Sequence, residues 1–293
     1  MQLTARAHSP VNFYTLLLIL LLLLSNQPSP VFAKESGNME ILANIAYGPD
    51  HLQTMDVYRP LNARDATVIF MVHGGAWRTG DKASKAVVEN KVNYWVTRGY
   101  IFISTNYRLL PDATVDKQVT DVAQALAYAQ KEAPFWGGDP DKFILMGHSA
   151  GAHLVSVLAA SPGIAEDQDA KRWLGTISID SACFNVVSVM ESRHLSLYDR
   201  AFGSNKIYWE SLSPFFLLSR AQNPLLAICS TRRKDNPCRQ AEQFQNKAMS
   251  MGMRVDVLKV NLSHRKTNML LGKDPEYTTD VQEFIESLES GSH

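Results

Sequence analysis

Five consecutive residues near the middle of the chain have types and spacing that suit nucleophilic chemistry: Gly-His-Ser-Ala-Gly at residues 147–151. They follow an apolar run at residues 143–146, where a strand can turn sharply into a helix and expose the serine hydroxyl. The backbone of such a turn is strained and closely packed, which favours glycine at both ends. The pattern predicts that Ser149 is a nucleophile.

A serine hydroxyl is a weak nucleophile near neutral pH, so a histidine must take its proton and a carboxylate must orient that histidine. The turn resembles that of the α/β-hydrolases, and this resemblance implies that the three residues follow in the order serine, acid, histidine. The histidines well downstream of the turn are His194, His264 and His293. His264 follows a strand-like segment at residues 254–260 and precedes a final helical pattern. We therefore predict His264 as the general base.

The orienting carboxylate is expected between the serine and the histidine, on a loop that follows a strand. Asp235 fits best, because an apolar run at residues 224–229 leads into the polar turn that contains it. Two alternatives stay open. Asp256 alternates with valines in a strand-like segment, which directs it away from the strand end. Asp180 ends another apolar run, at residues 174–179.

Attack on a carbonyl also needs backbone N–H groups aimed at the developing oxyanion, and a glycine-rich loop can supply them. The segment His-Gly-Gly-Ala-Trp at residues 73–77 follows a strand-like run and has this character. The predicted donors are the amides of Gly75, Ala76 and Ala150, with Gly74 as the alternative for one of them.

Other side chains near these segments have supporting interpretations. His73 is expected to brace its loop by hydrogen bonding. Trp77 and His148 are predicted to line the substrate pocket, and a buried packing role is the alternative for Trp77. His153, one turn into the helix after the serine, is expected to satisfy a hydrogen bond and not to act as a catalyst.

Together these motifs resemble the α/β-hydrolase superfamily of serine esterases. The similarity is to the branch of hormone-sensitive-lipase-like enzymes and bacterial carboxylesterases that is related to feruloyl esterases and arylformamidases. Further similar segments are residues 47–48, 55–60, 106–109 and 137–140. Two departures concern the substrate: Ala76 replaces the third glycine of the loop but keeps its amide, and Arg265 and Lys266 follow His264 where many relatives carry an acidic residue.

The resemblance implies an α/β-hydrolase fold, in which a mostly parallel central sheet carries helices on both faces. It also implies a serine carboxylesterase that hydrolyses short-chain or aromatic esters of small molecules through an acyl-enzyme intermediate, with neither a metal nor an organic cofactor. An arylformamidase-like amidase with the same catalytic residues is the alternative enzyme. A non-catalytic binding module of the same fold is the alternative from another class.

The N-terminal 33 residues have the pattern of an export signal. Arg6 supplies positive charge, residues 16–24 are aliphatic, and residues 31–33 include the small residues expected at a cleavage site. As a helix, residues 11–24 would reach only about 21 Å, short of the roughly 30 Å of a bilayer core. The sequence predicts a cleaved signal peptide at residues 1–33, a catalytic domain at residues 34–293, a periplasmic or secreted location and no stable membrane anchor.

The composition is that of an ordinary globular protein. The chain has 29 Lys and Arg against 29 Asp and Glu, and Arg6 is the one formal charge within residues 1–33, so the remaining 260 residues carry a net charge of −1. This balance gives no basis for nucleic-acid binding. The proportions of hydrophobic residues (45%) and charged residues (20%) are ordinary for a globular protein. The length is enough for one domain with a large core.

The chain has three cysteines, Cys183, Cys229 and Cys238, so at most one intramolecular disulfide can form. Cys229 and Cys238 bracket the loop that contains Asp235. A disulfide between them would hold that loop in place, and this is a hypothesis. In the alternative, Cys229 is a buried small residue at a strand end.

Strand-like runs alternate with helical patterns, which is typical of a parallel sheet between two layers of helices. The predicted strands are residues 67–72, 101–105, 143–146, 174–179, 225–228 and 255–260, preceded by an antiparallel edge at residues 41–47 and 53–58. The spacing of apolar residues predicts a helix over residues 115–131 and a final helix that buries Val281, Phe284, Ile285 and Leu288.

The connection at residues 181–223 is longer than a single crossover helix requires. Its aromatic residues are Phe184, Tyr198, Phe202, Tyr208, Trp209, Phe215 and Phe216. It is predicted to form a cap over the site, and in the alternative its aromatic residues are the core of two short helices. His194 lies in this segment and is expected at the surface or in the cap.

Basic residues flank two of the candidates, at residues 232–234 beside Asp235 and at residues 265–266 beside His264. They suggest positive charge at the rim of the site and a preference for substrates with an anionic end. A solvated basic surface is the alternative interpretation.

Overall fold

The structure is a computed structural model that describes residues 32–181 and 183–291. Within these residues the chain forms a sheet of nine strands in the order β1-β2-β3-β5-β4-β6-β7-β8-β9. The strands are β1 (Phe32–Ser36), β2 (Met39–Ala46), β3 (Thr54–Pro60), β4 (Ala66–Val72), β5 (Ile101–Thr105), β6 (Gly138–His148), β7 (Gly175–Ile179), β8 (Leu225–Ser230) and β9 (Val255–Val260).

Strands β1 to β3 form an antiparallel edge, and β3 pairs antiparallel with β5. From β5 onward every neighbouring pair is parallel. Parallel strands place their carboxyl ends along one edge of the sheet, and the loops there are the usual place for a site in this architecture. The predicted α/β-hydrolase fold, with its antiparallel edge, is confirmed.

Helices connect the strands and cover the sheet. They are α1 (Lys85–Trp95), α2 (Val115–Trp136), α3 (Ala150–Ala160), α4 (Gly163–Glu166), α5 (Val186–Met190), α6 (Ser196–Phe202), α7 (Lys206–Ser211), α8 (Pro214–Leu217), α9 (Pro237–Ser250), α10 (His264–Met269) and α11 (Pro275–Glu289), with a short 3₁₀ turn at Val96–Arg98. In the described part of the chain, no helix is long and apolar enough to span a bilayer.

The side chains of β4 show why helices lie on both faces of the sheet. Val68, Phe70 and Val72 belong to a core that includes α2 and α3, whereas Ile69 and Met71 belong to a core that includes α1 and α11. Successive side chains of a strand point to opposite faces, so a strand that is apolar throughout needs an apolar layer on each side. The apolar run in the sequence therefore predicts burial on both faces.

Two elements extend well beyond the prediction. Strand β6 begins at Gly138, well before the predicted start, and helix α2 continues to Trp136 and ends at Gly137 in the left-handed region, at φ 83°. The spacing of apolar residues predicts a shorter strand and a shorter helix, because the residues added to each are partly polar. Strand β1 was not predicted, and it spans the predicted cleavage point after Ala33; the rest of the predicted signal lies outside the described residues.

The long connection after β7 contains the four short helices α5 to α8. Phe184, Tyr198 and Phe202 are buried, whereas Phe216 is 47% exposed. Tyr198 and Phe202 belong to the same core as α2 and α3, so this segment is packed into the domain. The aromatic residues thus belong to a packed core, and the predicted cap, which such packing does not exclude, stays a prediction.

Candidate active site

Ser149 lies at the turn from β6 to α3 and has φ 57° and ψ −115°, a strained conformation for a residue with a side chain. A Cβ added at Gly147 would lie 2.4 Å from the carbonyl oxygen of Gly151, and one added at Gly151 would lie 2.2 Å from that of Val72. Both glycines are therefore required by close backbone contacts, as the sequence pattern predicts.

His264, the first residue of α10, reaches the serine. Its Nε2 lies 2.9 Å from the Oγ of Ser149, and its Nδ1 lies 2.6 Å from an Oδ2 atom of Asp180. An ionised carboxylate can only accept hydrogen bonds, so Nδ1 carries the proton and Nε2 is free to accept one from the serine hydroxyl. The predicted contact between Ser149 and His264 is present.

The prediction that Asp235 orients the histidine is wrong, because Asp180 occupies that position. Asp180 directly follows β7, which is the neighbour of β6 in the sheet. Its amide donates to the carbonyl of Ile228 at 2.7 Å, and the amide of Ser149 donates to the carbonyl of Ile179 at 2.9 Å. These bonds place the acid and the serine at neighbouring strand ends.

Asp180 is buried, and its surroundings stabilise the ionised form. One carboxylate oxygen accepts from the amide of Ser230 at 2.9 Å, and Arg233 lies 3.4 Å from the other. Burial by itself raises the pKa of Asp180, but hydrogen bonds from His264 and Ser230 and the charge of Arg233 together hold this pKa below its usual value. The carboxylate therefore stays charged beside the imidazole.

Asp235 instead forms a two-pronged ion pair with Arg233. Its side chain is 44% exposed, whereas that of Arg233 is 15% exposed. Arg233 also donates to the backbone carbonyl of Asp180 at 2.8 Å, and the same nitrogen lies 3.3 Å from Nδ1 of His264. Asp235 thus balances a cation that contacts the catalytic pair, and it does not contact the pair itself.

The third candidate acid, Asp256, lies on β9 and pairs with Arg254, which directly precedes that strand. Its side chain is 44% exposed. The alternation of the strand directs it away from the carboxyl ends, as the sequence indicates.

A disulfide joins Cys229 and Cys238, as hypothesised, and Cys183 is free and buried. The bond connects the end of β8 to the first turn of α9 and closes the loop that carries Arg233 and Asp235. Closing this loop restricts its conformations, which favours the position in which Arg233 contacts Asp180.

The glycine-rich loop after β4 lies against the serine. A Cβ added at Gly74 would lie 2.8 Å from Cβ of Ser149, and Gly75 has φ 135°. Ala76 has φ 53°, in the left-handed region. Across residues 32–181 and 183–291, the amides of the predicted donors Gly75, Ala76 and Ala150 have no hydrogen-bond acceptor, and neither has that of the alternative Gly74. All four are therefore free to donate, and the choice among them stays a prediction.

His73 braces this loop as predicted. Its Nδ1 lies 2.8 Å from the carbonyl of Gly74, and its ring stacks on Tyr107 with 4.6 Å between centroids. The Tyr107 hydroxyl donates to the carbonyl of His73 at 3.0 Å. Burial lowers the pKa of His73, so the ring is neutral when it makes these contacts.

Trp77 does not line an open pocket, because its side chain is 3% exposed and packs inside the core. Its indole nitrogen lies 3.3 Å from Nδ1 of His153, and Nε2 of His153 lies 2.8 Å from the carbonyl of Leu212. Burial lowers the pKa of His153 to about 4, so this neutral ring connects the loop, helix α3 and the long connection. The buried alternative for Trp77 and the supporting role of His153 are the correct ones.

His148 contacts the histidine of the site. Its ring centroid lies 4.7 Å from that of His264, and its Nε2 donates to the carbonyl of His264 at 3.1 Å. Burial and the neighbouring histidine lower the pKa of His148 to about 3. His148 is therefore a neutral support for His264, and its predicted place in the lining of the substrate pocket stays a prediction.

A cavity of about 270 Å³ begins at the glycine-rich loop after β4. Its lining residues are Ala76, Arg78, Leu110, Pro111, Leu197 and Arg200. Sequence reasoning did not identify this set, because the residues come from three separate loops and helices. Among the described residues, no cluster of three or more His, Cys, Asp or Glu side chains could hold a metal ion.

Of the basic residues expected at the rim, Lys234, Arg265 and Lys266 are exposed, and for them the expectation stays a prediction. Arg233 is inside the site, and Arg232 donates to the side chain of Asn261 at 2.8 Å. The arginines that line the cavity are Arg78 and Arg200. His194 lies at the surface, where it pairs with Asp199 at 2.9 Å.

A protein-family model, BD-FAE, matches residues 55–248, about two thirds of the chain and all of the strands from β4 to β8. The chain belongs to the BD-FAE family. The matched region contains the glycine-rich loop, Ser149 and Asp180, whereas His264 lies beyond its end.

Curated relatives of this BD-FAE chain are named esterases. A probable isoprenylcysteine alpha-carbonyl methylesterase, ICMEL1 of Oryza sativa subsp. japonica, is 28% identical over 63% of this chain and 45% of its own length. Esterase LipQ of Mycobacterium tuberculosis is 29% identical over 65% of this chain and 51% of its own length. The chain thus spans about half the length of these relatives.

Solved structures share the fold of this family member at low sequence identity. A truncated carbohydrate esterase from gut microbiota superposes with a TM-score of 0.73 at 16% identity, covering 90% of this chain and 99% of that one. Esterase 2 of Thermogutta terrifontis gives a TM-score of 0.69 at 20% identity, covering 87% and 93%. At this level of identity the matches show that the α/β-hydrolase fold is shared.

Proposed function

We propose that this protein is a carboxylic ester hydrolase in which Ser149 forms an acyl-enzyme intermediate. The observation that carries the proposal is the connected series of hydrogen bonds from Ser149 Oγ through His264 to buried Asp180, at 2.9 and 2.6 Å. The curated relatives named esterases, among them LipQ, support the same reaction class.

In the proposed reaction, His264 Nε2 takes the hydroxyl proton as Ser149 Oγ attacks the ester carbonyl carbon. The amides of Ala76 and Ala150 receive the oxyanion, and Asp180 stabilises the imidazolium that forms. Collapse of the intermediate breaks the bond to the alcohol oxygen, which takes the proton from His264. A water molecule activated by the same nitrogen then hydrolyses the acyl-enzyme and regenerates the serine.

Short-chain or aromatic esters are the proposed substrates. The cavity beside Ala76 has a volume of about 270 Å³ and is lined by Leu110, Pro111 and Leu197 as well as by two arginines. This is enough apolar surface for a short acyl chain or one aromatic ring.

Export is a further part of the proposal, and it rests on residues 1–33 of the sequence. The disulfide between Cys229 and Cys238 supports it, because such bonds persist in oxidising compartments. Cleavage after Ala33 would leave Lys34 to Ser36 in β1. N-terminal sequencing of the protein recovered from a secreting host tests this, and an intact N-terminus would contradict it.

An arylformamidase-like amidase would use the same residues, so the two enzymes are separated by comparing p-nitrophenyl ester and formanilide turnover on one preparation. Faster formanilide turnover would favour the amidase. For a binding module without catalysis, the hydrogen bonds among Ser149, His264 and Asp180 would have no purpose.

The Ser149→Ala variant tests the proposal directly. We expect kcat for p-nitrophenyl butyrate to fall roughly 10⁴-fold or more, because the nucleophile is removed. Circular dichroism should show an unchanged fold. A fluorophosphonate should label the wild type and not the variant. Retained turnover in the variant, or no labelling of the wild type, would overturn the assignment.

A further inference from the structure

We infer that the cavity beside Ala76 is a subsite for a negatively charged end of the substrate, with Arg78 and Arg200 as its recognition residues. This inference rests on the proposed ester hydrolysis and names the class of ester: one with a short apolar segment that ends in a carboxylate.

The cavity adjoins the point of attack. Ala76 contributes both a wall of the cavity and one of the amides available to the oxyanion. The neighbouring Gly74 approaches Ser149 so closely that an added Cβ would lie 2.8 Å from Cβ of the serine. A group bound in this cavity would therefore be attached within a few bonds of the reacting carbonyl.

Two separate elements each supply one arginine. Arg78 lies two residues after Ala76, where its amide donates to the carbonyl of Gly75 at 3.1 Å. Arg200 lies on α6, three residues after Leu197, so both side chains lie on the face of α6 that lines the cavity. The long connection after β7 thus contributes one half of the subsite.

Neither arginine has an anionic partner in the described part of the chain. Arg200 has a contact of 3.3 Å to the hydroxyl of Ser196, and throughout residues 32–181 and 183–291 no carboxylate forms an ion pair with Arg78 or Arg200. By contrast, Arg233 in the same site is paired with Asp180 and Asp235. The cavity therefore presents two uncompensated positive charges above apolar walls.

A carboxylate between two guanidinium groups would accept charge-assisted hydrogen bonds from both. Because the arginines are exposed, water and salt weaken this attraction, and each contributes a factor of only about 1.4 to 5. Two such contributions correspond to a preference of about twofold to thirtyfold in kcat/KM for the charged ester. The arginines would therefore affect the selectivity between charged and neutral esters, because neutral esters would still reach Ser149.

The experiment compares esters of equal length with and without a terminal carboxylate, in the full chain. One pair carries the carboxylate on the acyl side (p-nitrophenyl hemiglutarate and p-nitrophenyl valerate), and another carries it on the alcohol side (butyrate esters of 4-hydroxybenzoate and of 4-hydroxybenzamide). The variants are Arg78→Gln and Arg200→Gln. Arg193→Gln is the matched control, because Arg193 is an exposed arginine of the same connection outside the cavity lining.

We expect Arg78→Gln and Arg200→Gln each to lower kcat/KM for one charged ester about twofold to fivefold, with little change for its neutral partner. For each enzyme, the quantity compared is the ratio of kcat/KM for the charged ester to kcat/KM for its neutral partner. Dividing the ratio of each variant by that of the wild type cancels the intrinsic reactivity of the esters. The difference in this ratio between the wild type and the cavity variants should shrink at high salt. The ratio of Arg193→Gln should match that of the wild type.

Equal losses on charged and neutral esters, or the same loss in Arg193→Gln, would overturn the subsite. So would unchanged ratios in both cavity variants. These outcomes are distinct from failure of the proposed function, which would appear as absent turnover of the neutral esters by the wild type.

Discussion

The side chain of Asp180 illustrates how much chemistry depends on a single position at a strand end. Asp180 contacts His264 at 2.6 Å, whereas Asp235, which has the expected order and loop context, pairs with Arg233. Arg233 lies between the two carboxylates and contacts both. The site thus has one carboxylate that orients the histidine and another that balances the adjacent cation.

The two carboxylates can be separated by substitution. Asp180→Asn should lower kcat roughly 10⁴-fold, because an amide in this position no longer favours the tautomer in which Nδ1 of His264 carries the proton. Asp235→Asn should change kcat less than about tenfold, because Asp235 acts only through Arg233. Asp256→Asn, on β9, is a surface control. Steady-state kinetics on the three folded variants provides the measurement, and an equal loss in Asp180→Asn and Asp235→Asn would restore Asp235 as the orienting acid.

At the scale of elements, helix α1 holds α10, which carries His264 at its first position. The α10 helix has six residues, so its last carbonyls have no partners within the helix. Lys91 Nζ donates to the carbonyl of Asn268 at 2.6 Å, and the Asn90 amide donates to that of Met269 at 2.6 Å. A helix too short to be stable alone is fixed by these contacts.

Lys91 should make stability depend on pH, because burial lowers its pKa to about 7 from 10.5. Between these values the folded protein has released the proton that the unfolded chain still binds. Unfolding therefore takes up a proton, and raising the pH increases the free energy of unfolding. The expected rise is about 1–3 kcal/mol between about pH 7 and about pH 9, below the range in which tyrosines ionise.

Urea unfolding across this interval measures the effect. Lys91→Met should remove the pH dependence, and Lys85→Met, at an exposed position of the same helix, should retain it. A slope in Lys91→Met equal to that of the wild type would show that the lysine is not the source.

For the whole molecule, the long connection after β7 is part of the main core. Phe202 is 1% exposed, and its ring centroid lies 4.9 Å from that of Trp77 and 5.6 Å from that of His153. Trp77 belongs to the glycine-rich loop after β4 and His153 to the helix after Ser149. The domain core, the loop and the connection therefore form one packed unit around the site.

Phe202→Ala should lower the free energy of unfolding by about 3–5 kcal/mol, because it leaves a cavity beside Trp77. It should also reduce kcat/KM under conditions where the variant stays folded, because Trp77 of the glycine-rich loop loses its contact with Phe202. Phe216→Ala, at a residue that is 47% exposed, should change stability by less than about 0.5 kcal/mol. Urea unfolding and ester kinetics on both variants measure the difference, and equal effects would contradict the packing argument.

The sequence by itself determined the nucleophile turn, the glycine-rich loop, the candidate histidine and the alternation of strands and helices. Each depends on local chemistry: Gly147 and Gly151 are required by backbone contacts, and the apolar run of β4 requires cover on both faces. Local constraints of this kind are visible in residue types and spacing.

The tertiary structure decided which carboxylate reaches His264, how Arg233 is used and which residues surround the cavity. Asp180 and Asp235 both follow strands, and only the order β6-β7-β8 in the sheet places Asp180 beside the serine. Likewise, Arg78 and Arg200 are brought together by the packing of α6 against the loop. Such pairings depend on distances between segments far apart in the chain, which no local pattern encodes.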